Sequence, residues 1–301
     1  MRFGAVADHL LSGINLTLPP EPTNNTTTLP GKRAVKPKVY IGAATWGDSN
    51  WTGKIYPLRT PSNKFRQLYP LHFNAIELNA THYKIYELDV IRKWNETAKG
   101  KDFKFCPKFP QQISHYSGFQ NVDQLTFAFL ESISSFEENL GPIFIQLSES
   151  FSPIHKQVLF EYLNSLPKEM NFFVEMRHPQ WFSTKKEKDE LFTTLHQLNI
   201  GAVITDTPGR RDVAHMHLTI PKLFLRFVCN ALHPTSFTRT DEWIQRIQYW
   251  LEKGLQEVYV FLHPGNEAAI PELSVYWIKQ LNQYCNLQLK PPVLAAQQQL
   301  F

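Results

Sequence analysis

What most limits the folds open to this chain is an alternation repeated eight times. Short apolar or β-branched runs, VYIGAA (39–44), AIELN (75–79), KFCPKF (104–109), PIFIQL (142–147), FFVEM (172–176), AVITD (202–206), LFLRF (223–227) and EVYVFL (257–262), are separated by longer segments with helical spacing. The clearest helical segment is 122–140, where Val122, Leu125, Phe129, Ile133, Phe136 and Leu140 recur every three or four residues. Segments 241–253 and 272–284 are also amphipathic, with Trp243, Ile247, Trp250 and Leu251 on one stripe and Leu273, Trp277 and Leu281 on another. Thr60-Pro61 and Ser152-Pro153 each predict a capping hydroxyl ahead of a proline at the first helical position. Only GRRDVAHMHLTIPK, before the seventh run, predicts a short or irregular helix.

Eight strands, each followed by a helix over about 250 residues, fit a single-domain (β/α)8 barrel of parallel strands with outer helices. An open doubly wound sheet usually has fewer strands, and no GxGxxG or P-loop follows any of these. The 43% hydrophobic content is enough to fill such a core. Residues 19–38, rich in Pro, Thr and Asn, predict that 1–38 is a linker or a surface-hugging arm. The barrel domain is then 39–290 and a C-terminal tail 291–301.

With 31 basic and 27 acidic residues interspersed along the chain, the net charge of +4 does not by itself imply nucleic acid. Cys106, Cys229 and Cys285 are far apart, without CxxC or Cys/His ligand spacing, which predicts a reducing compartment and no structural zinc. No signal-like or 18-residue apolar run is present, so the expected location is soluble and cytoplasmic, with no membrane partner.

Chemistry concentrates at the strand ends, where polar residues close otherwise apolar runs: Glu77 and Asn79, Lys108, Gln146, Glu175 and Arg177, Asp206, Arg226 and His263. In a closed parallel barrel these ends share one face, the mouth built by the βα loops. Side chains alternate along a strand, so Glu77 pairs in direction with Asn79, and Glu175 with Arg177, leaving His178 to face away or into the next loop. A bland reading pairs Lys108, Arg177 and Arg226 with Glu77, Glu175 and Asp206 as a satisfied ion network. The functional reading takes Lys108, Arg177 and Arg226 as anion binders and Glu175 or Glu77 as a general base, with Lys108 alternatively a base or Schiff-base amine.

No cofactor is firmly implied. A divalent metal on Glu77, Glu175, Asp206 and one of His82, His115, His178, His215, His217 or His263 is the competing reading, opposed by the lysine and arginines among those ligands. His215 and His217 precede the seventh strand and are expected on the outer or opposite side. Trp46 and Trp181 read equally as loop packing or as a stacking platform for a sugar ring or base, whereas Trp51, Tyr56 and Tyr83 read as packing. GRRD at 209–212 reads as a solvated turn.

These motifs resemble the domain-of-unknown-function family 72, also called YecE-like. The likeness runs in order through IGAATWGDSNWTGKIYP, FNAIELNATHY, FKFCPKF with ISH, GPIFIQLSESF, VEMRHPQWF, ITDTPGRRD, FLRF and VYVFLHPGNE, over roughly residues 39–285. The N-terminal arm and HMHLT look like the variant common in Bacteroidetes-type bacteria. The resemblance implies a TIM-barrel-like fold and no established reaction. It marks Glu77, Asn79, Tyr83, Lys108, His115, Gln146, Glu175, Arg177, His178, Trp181, Asp206 and Arg226 as the positions matching the family motifs. Where many members carry asparagines after the last strand, this chain has His263-Pro264-Gly265-Asn266.

The expected function is therefore an enzyme of unassigned reaction acting on a small anionic or polyhydroxylated substrate by general acid/base chemistry. Glu175, Lys108 and Glu77 are the catalytic candidates. Arg177, Arg226, Asn79, Gln146, Asp206, Tyr83, His115, Trp46 and Trp181 are the binding candidates. The alternatives are a metal-assisted phosphoester hydrolase or sugar isomerase, and a ligand-binding scaffold without chemistry; nucleic acid is the weakest partner.

Overall fold

The computed structural model describes residues 3–295, so the expectations for the outermost arm (1–2) and most of the tail (296–301) lie outside the described residues. Eight strands form at the eight apolar runs: β1 (Lys38–Ala43), β2 (Ala75–Leu78), β3 (Lys104–Pro107), β4 (Ile143–Gln146), β5 (Phe172–Glu175), β6 (Gly201–Asp206), β7 (Lys222–Val228) and β8 (Glu257–His263). Every ladder is parallel, in the order β3-β2-β1-β8-β7-β6-β5-β4. The remaining edges, β3 and β4, meet through isolated bridges, Phe105 with Leu140 and Lys108 with Phe144, so the barrel is nearly closed at a seam beside Lys108.

The outer layer comprises α1 (Leu88–Asn95), α2 (Asp123–Ser134), α3 (Lys156–Ser165), α4 (Lys185–Gln197), α5 (Pro234–Glu252) and α6 (Ile270–Cys285), with shorter turns between. α4 starts where the Thr184 hydroxyl accepts from the Glu187 amide at 3.2 Å, one half of a capping box. At the two expected cap sites the outcome differs. Pro153 does open a helical turn, but the Ser152 hydroxyl caps nothing, and Thr60 donates back to the Pro57 carbonyl instead. The fixed φ of Pro153 sets the helical turn by itself, and the Ser152 hydroxyl does not reach the amides two or three residues on that a cap would satisfy. Between β6 and β7 there is only the turn Arg211–Val213, as the irregular sequence there predicts.

Two residue sets leave the strands in opposite directions. Ile76, Ile143, Ile145, Val174, Ile204, Leu225, Val258 and Leu262 pack outward against helices. Tyr40, Ala75, Cys106, Phe144, Phe173, Val203, Phe224, Tyr259 and Phe261 pack together as the barrel's inner plug. Gly201 opens β6 without a side chain because a Cβ there would lie 2.2 Å from the Phe173 ring, which fills that space. Stepping two residues onward from the inner set along each strand gives Glu77, Lys108, Gln146, Glu175, Thr205, Arg226 and His263, which therefore form the layer above the plug.

The N-terminal arm lies against the β6–β7 side. Asn25 donates to the Met216 carbonyl and accepts from the Leu218 amide, while Trp250 and Arg246 of α5 donate to Glu21. Among the described residues, no helix is long and apolar enough to cross a membrane. Cys106, Cys229 and Cys285 are free and buried.

Candidate functional site at the barrel mouth

The centre of the mouth is an ion cluster around Arg226. Its Nε and Nη2 donate to the two Glu77 oxygens at 2.8 and 2.7 Å, and its Nη1 donates to both Glu175 oxygens at 3.0 and 2.9 Å. Asn79 Nδ2 donates to Glu77 at 2.9 Å, His263 Nε2 to Glu77 at 3.0 Å, and the Thr205 hydroxyl to Glu175 at 2.6 Å. Burial alone would push both carboxyls up. Arg226 with His263 outweighs it at Glu77, holding that group well below the carboxylate range, and Arg177 with Arg226 lowers Glu175 to about 2. Burial likewise opposes the Arg226 charge, and Glu175 and Glu77 together raise that guanidinium above its ordinary value.

These contacts show which of the strand-end groups meet. Glu77, Glu175 and Arg226 spend their polar atoms on one another as one connected cluster. Asp206 does not join them. It projects to the helix layer, where Trp243 Nε1 donates to it at 2.8 Å, Arg239 Nη2 lies at 2.8 Å, and Arg211 also pairs with it. Burial would raise its carboxyl, but Arg239 and Arg211 hold it low. The expected balance of three cations against three carboxylates therefore fails in the inner layer, which holds Lys108, Arg177 and Arg226 against Glu77 and Glu175.

Lys108 carries that imbalance. It is 8% accessible, and its ammonium makes no hydrogen bond or ion pair among the described residues; neither does the Gln146 amide on the facing strand. Burial, followed by the repulsion of Arg226, lowers Lys108 to about 8. Arg177 is also 8% accessible and lies 3.6 Å from Glu175 and 4.0 Å from Glu149, a rim carboxylate.

His115 and His82 flank the lysine on the β2–β3 side, their rings 5.0 Å apart. Burial and then Lys108 lower both to about 4, so both are neutral near pH 7. His82 Nδ1 donates to the Phe109 carbonyl, which leaves its other nitrogen the acceptor.

The aromatic candidates fall elsewhere. Trp181 is wholly buried, its indole N–H donating to the Phe151 carbonyl at 2.9 Å, so no ring face is open for a ligand. Trp46 packs edgewise on Tyr69, Trp94 and Phe105. Tyr83 is 65% exposed and meets the edge of His82. His178 caps the turn after β5, accepting from the Gln180 amide. His215 and His217 lie against Phe192 of α4, on the outside of the barrel.

Four residues of the mouth are missing from the catalytic and binding candidates. His263 was visible as a strand-end polar residue, and Thr205 sits two positions after Val203, but a lone threonine in AVITD carries no signal. His82 was visible only as one of several metal-ligand candidates. Glu267 follows β8; burial raises its carboxyl, and its Oε2 has no hydrogen-bond partner among the described residues.

The model of a family described as "Protein of unknown function DUF72" matches residues 40–299. UPF0759 protein YecE of Escherichia coli K12 is 32% identical over 251 residues, covering 78% of this chain and 89% of that protein. UPF0759 protein YunF of Bacillus subtilis is 30% identical over 155 residues, covering 48% and 52%. Among solved structures, a DUF72 family protein of Enterococcus faecalis V583 superposes with a TM-score of 0.63 at 15% identity, covering 85% of this chain and all of that one. That likeness concerns the fold.

Proposed function

We propose a function from the chemistry of the mouth, on the premise that the chain belongs to the DUF72 family, whose description assigns no activity. The mouth binds a small anionic substrate through Lys108 and Arg177, with Gln146 orienting it and the Lys108 amine transferring a proton. The carrying observation is Lys108 itself, a nearly buried ammonium without a hydrogen-bond or ionic partner among the described residues. Burying a charge that way is costly, and a bound anion removes the cost by charge-assisted hydrogen bonds. An amine near pKa 8 holds both protonation states in useful amounts close to neutrality, which suits general acid/base work.

The saturation of Glu77 and Glu175 favours a second reading, anion binding without turnover, since neither carboxylate is available to take a proton. A metal-assisted reaction finds less support: the two mouth carboxylates are engaged by Arg226, Asp206 faces outward, and among the described residues no three His, Cys, Asp or Glu side chains gather as a ligand set.

Calorimetric titration with sulfate, which does not titrate near neutrality, tests the binding step. Arg177→Ala and Lys108→Met should each weaken sulfate binding about tenfold, the scale of one charged hydrogen bond. Lys108→Met should also stabilise the unliganded protein, because it removes a buried charge whose desolvation the neighbouring Glu175 and Glu77 only partly offset. Unchanged sulfate affinity together with lower stability would sink this reading.

The pH dependence has a definite sign. Lys108 is depressed to about 8 in the fold, against about 10.4 unfolded, so the native state loses this proton first. Sulfate affinity should hold below about pH 8 and decline above it. The lysine's burial penalty is present below about pH 8 and vanishes as the pH approaches about 10.4, so its contribution to unliganded stability rises across that window. Urea unfolding of wild type and Lys108→Met across pH 7 to 10 isolates this contribution as the difference between the two.

A further inference from the structure

The N-terminal arm precedes the region that the family model matches, 40–299, yet it reaches the mouth. Arg211 of the β6–β7 connection donates to the Leu16 carbonyl, and Asn230 beyond β7 donates to the Val6 carbonyl and to Asp8, both at 2.7 Å. These bonds carry the arm across the ends of β6 and β7. There the Thr207 hydroxyl donates to the Phe3 carbonyl at 3.2 Å and the Gly209 amide to the Gly4 carbonyl at 2.8 Å.

The approach is built for glycine on both sides. Gly4 has φ +64°, and a Cβ there would lie 2.6 Å from the Thr207 methyl and hydroxyl; a Cβ on Gly209 would lie 2.9 Å from the Gly4 carbonyl oxygen. The turn at Gly4 delivers Phe3, 8% accessible, onto the Arg177 guanidinium with 4.3 Å between ring centroid and Cζ. The same ring lies 5.2 Å from Arg210, which itself donates to the Arg177 carbonyl. A cation over an aromatic face is held in plane while its N–H edge stays directed sideways, here toward Glu175.

We propose that Phe3 is a specificity-determining wall of the mouth, an arm-borne ring that covers the face of Arg177 and limits the site to small anions. The ligand class rests on the anion reading above; the covering of Arg177 does not. The arm thus adds to the barrel a side of the site that the family-matched region does not supply.

Two measurements on the full-length protein test this separately. In the first, phenylglyoxal modification of Arg177 is followed by peptide mass spectrometry, with the exposed Arg92 as reference. Phe3→Ala should raise the relative rate at Arg177 at least fivefold and Phe3→Trp should keep it low. Gly4→Ala, which leaves the ring but spoils its delivery, should behave like Phe3→Ala. An unchanged rate in both alanine variants, with thermal unfolding showing them folded, overturns the proposal.

In the second, calorimetry at pH 7 compares inorganic phosphate with phenyl phosphate. Phe3→Ala should lower the ratio of their dissociation constants, phenyl phosphate over phosphate, at least fivefold. A constant ratio with phosphate still bound overturns the wall and leaves the anion site standing. If the wild type binds neither, the anion reading falls, and the modification rates alone decide whether Phe3 covers Arg177.

Discussion

Arg226→Met should lose about 3–5 kcal/mol of stability at pH 7, the scale expected when one partner of a buried ion pair is removed. Arg226 is 2% accessible and is the shared counter-ion of Glu77 and Glu175, both buried. Without it, Glu77 keeps only His263 and Glu175 keeps Arg177 and Lys108 against the same burial, so both carboxyls move toward the neutral form, Glu77 the more. The pH dependence should therefore invert. In the wild type, the Glu175 contribution is present above its unfolded pKa of about 4.3 and is lost as the pH falls toward about 2. In the variant, the carboxyls bind protons more readily folded than unfolded, so the deficit should shrink between pH 7 and pH 4. Adding Glu77→Gln to Arg226→Met should recover part of the loss, since it removes the buried carboxylate that the guanidinium paired with, while Glu175 keeps Arg177 beside it. Urea unfolding at both pH values gives the result; a loss below about 1 kcal/mol at pH 7 would show that Arg226 is not the keystone of this cluster.

Asp206→Ala should be comparably damaging, again about 3–5 kcal/mol, without touching the proposed anion site. The carboxylate is completely buried between β6 and α5, and its removal strands Arg239, 2% accessible, and deprives the Trp243 N–H of its acceptor. Asp206→Leu with Arg239→Met should restore much of the stability, because an apolar pair of similar volume removes both desolvation costs. The sulfate affinity of that double variant should match the wild type. A tenfold weaker affinity would place Asp206 in the mouth after all, contrary to its contacts. The two substitutions thus separate two buried clusters that the strand ends, taken as residue types, do not distinguish.

That distinction marks where legibility ended. Element positions were readable because a buried parallel strand must be apolar for several residues and its covering helix must be striped, as Val122 to Leu140 is over α2. Polar strand ends were readable as a group for the same reason, since Glu175 or Arg226 interrupts a run that has no other cause to be polar. The capping hydroxyls at Thr60 and Ser152 misled, because a cap depends on the path of the chain before the helix as much as on residue type. Phe3 had no signal: a single aromatic in a short arm is indistinguishable from any other until its neighbours are known.

The sequence by itself determined the eight parallel strands, the barrel they imply, the family, and which polar residues end the strands. Tertiary structure alone decided which of them meet. In AVITD every position is buried, inward or outward, so the run carries no alternation from which to assign its faces, and only packing shows that Thr205 points into the mouth while Asp206 points to α5. One residue of phase moved a carboxylate out of the mouth and left Lys108 there as a buried cation with no ion-paired carboxylate among the described residues.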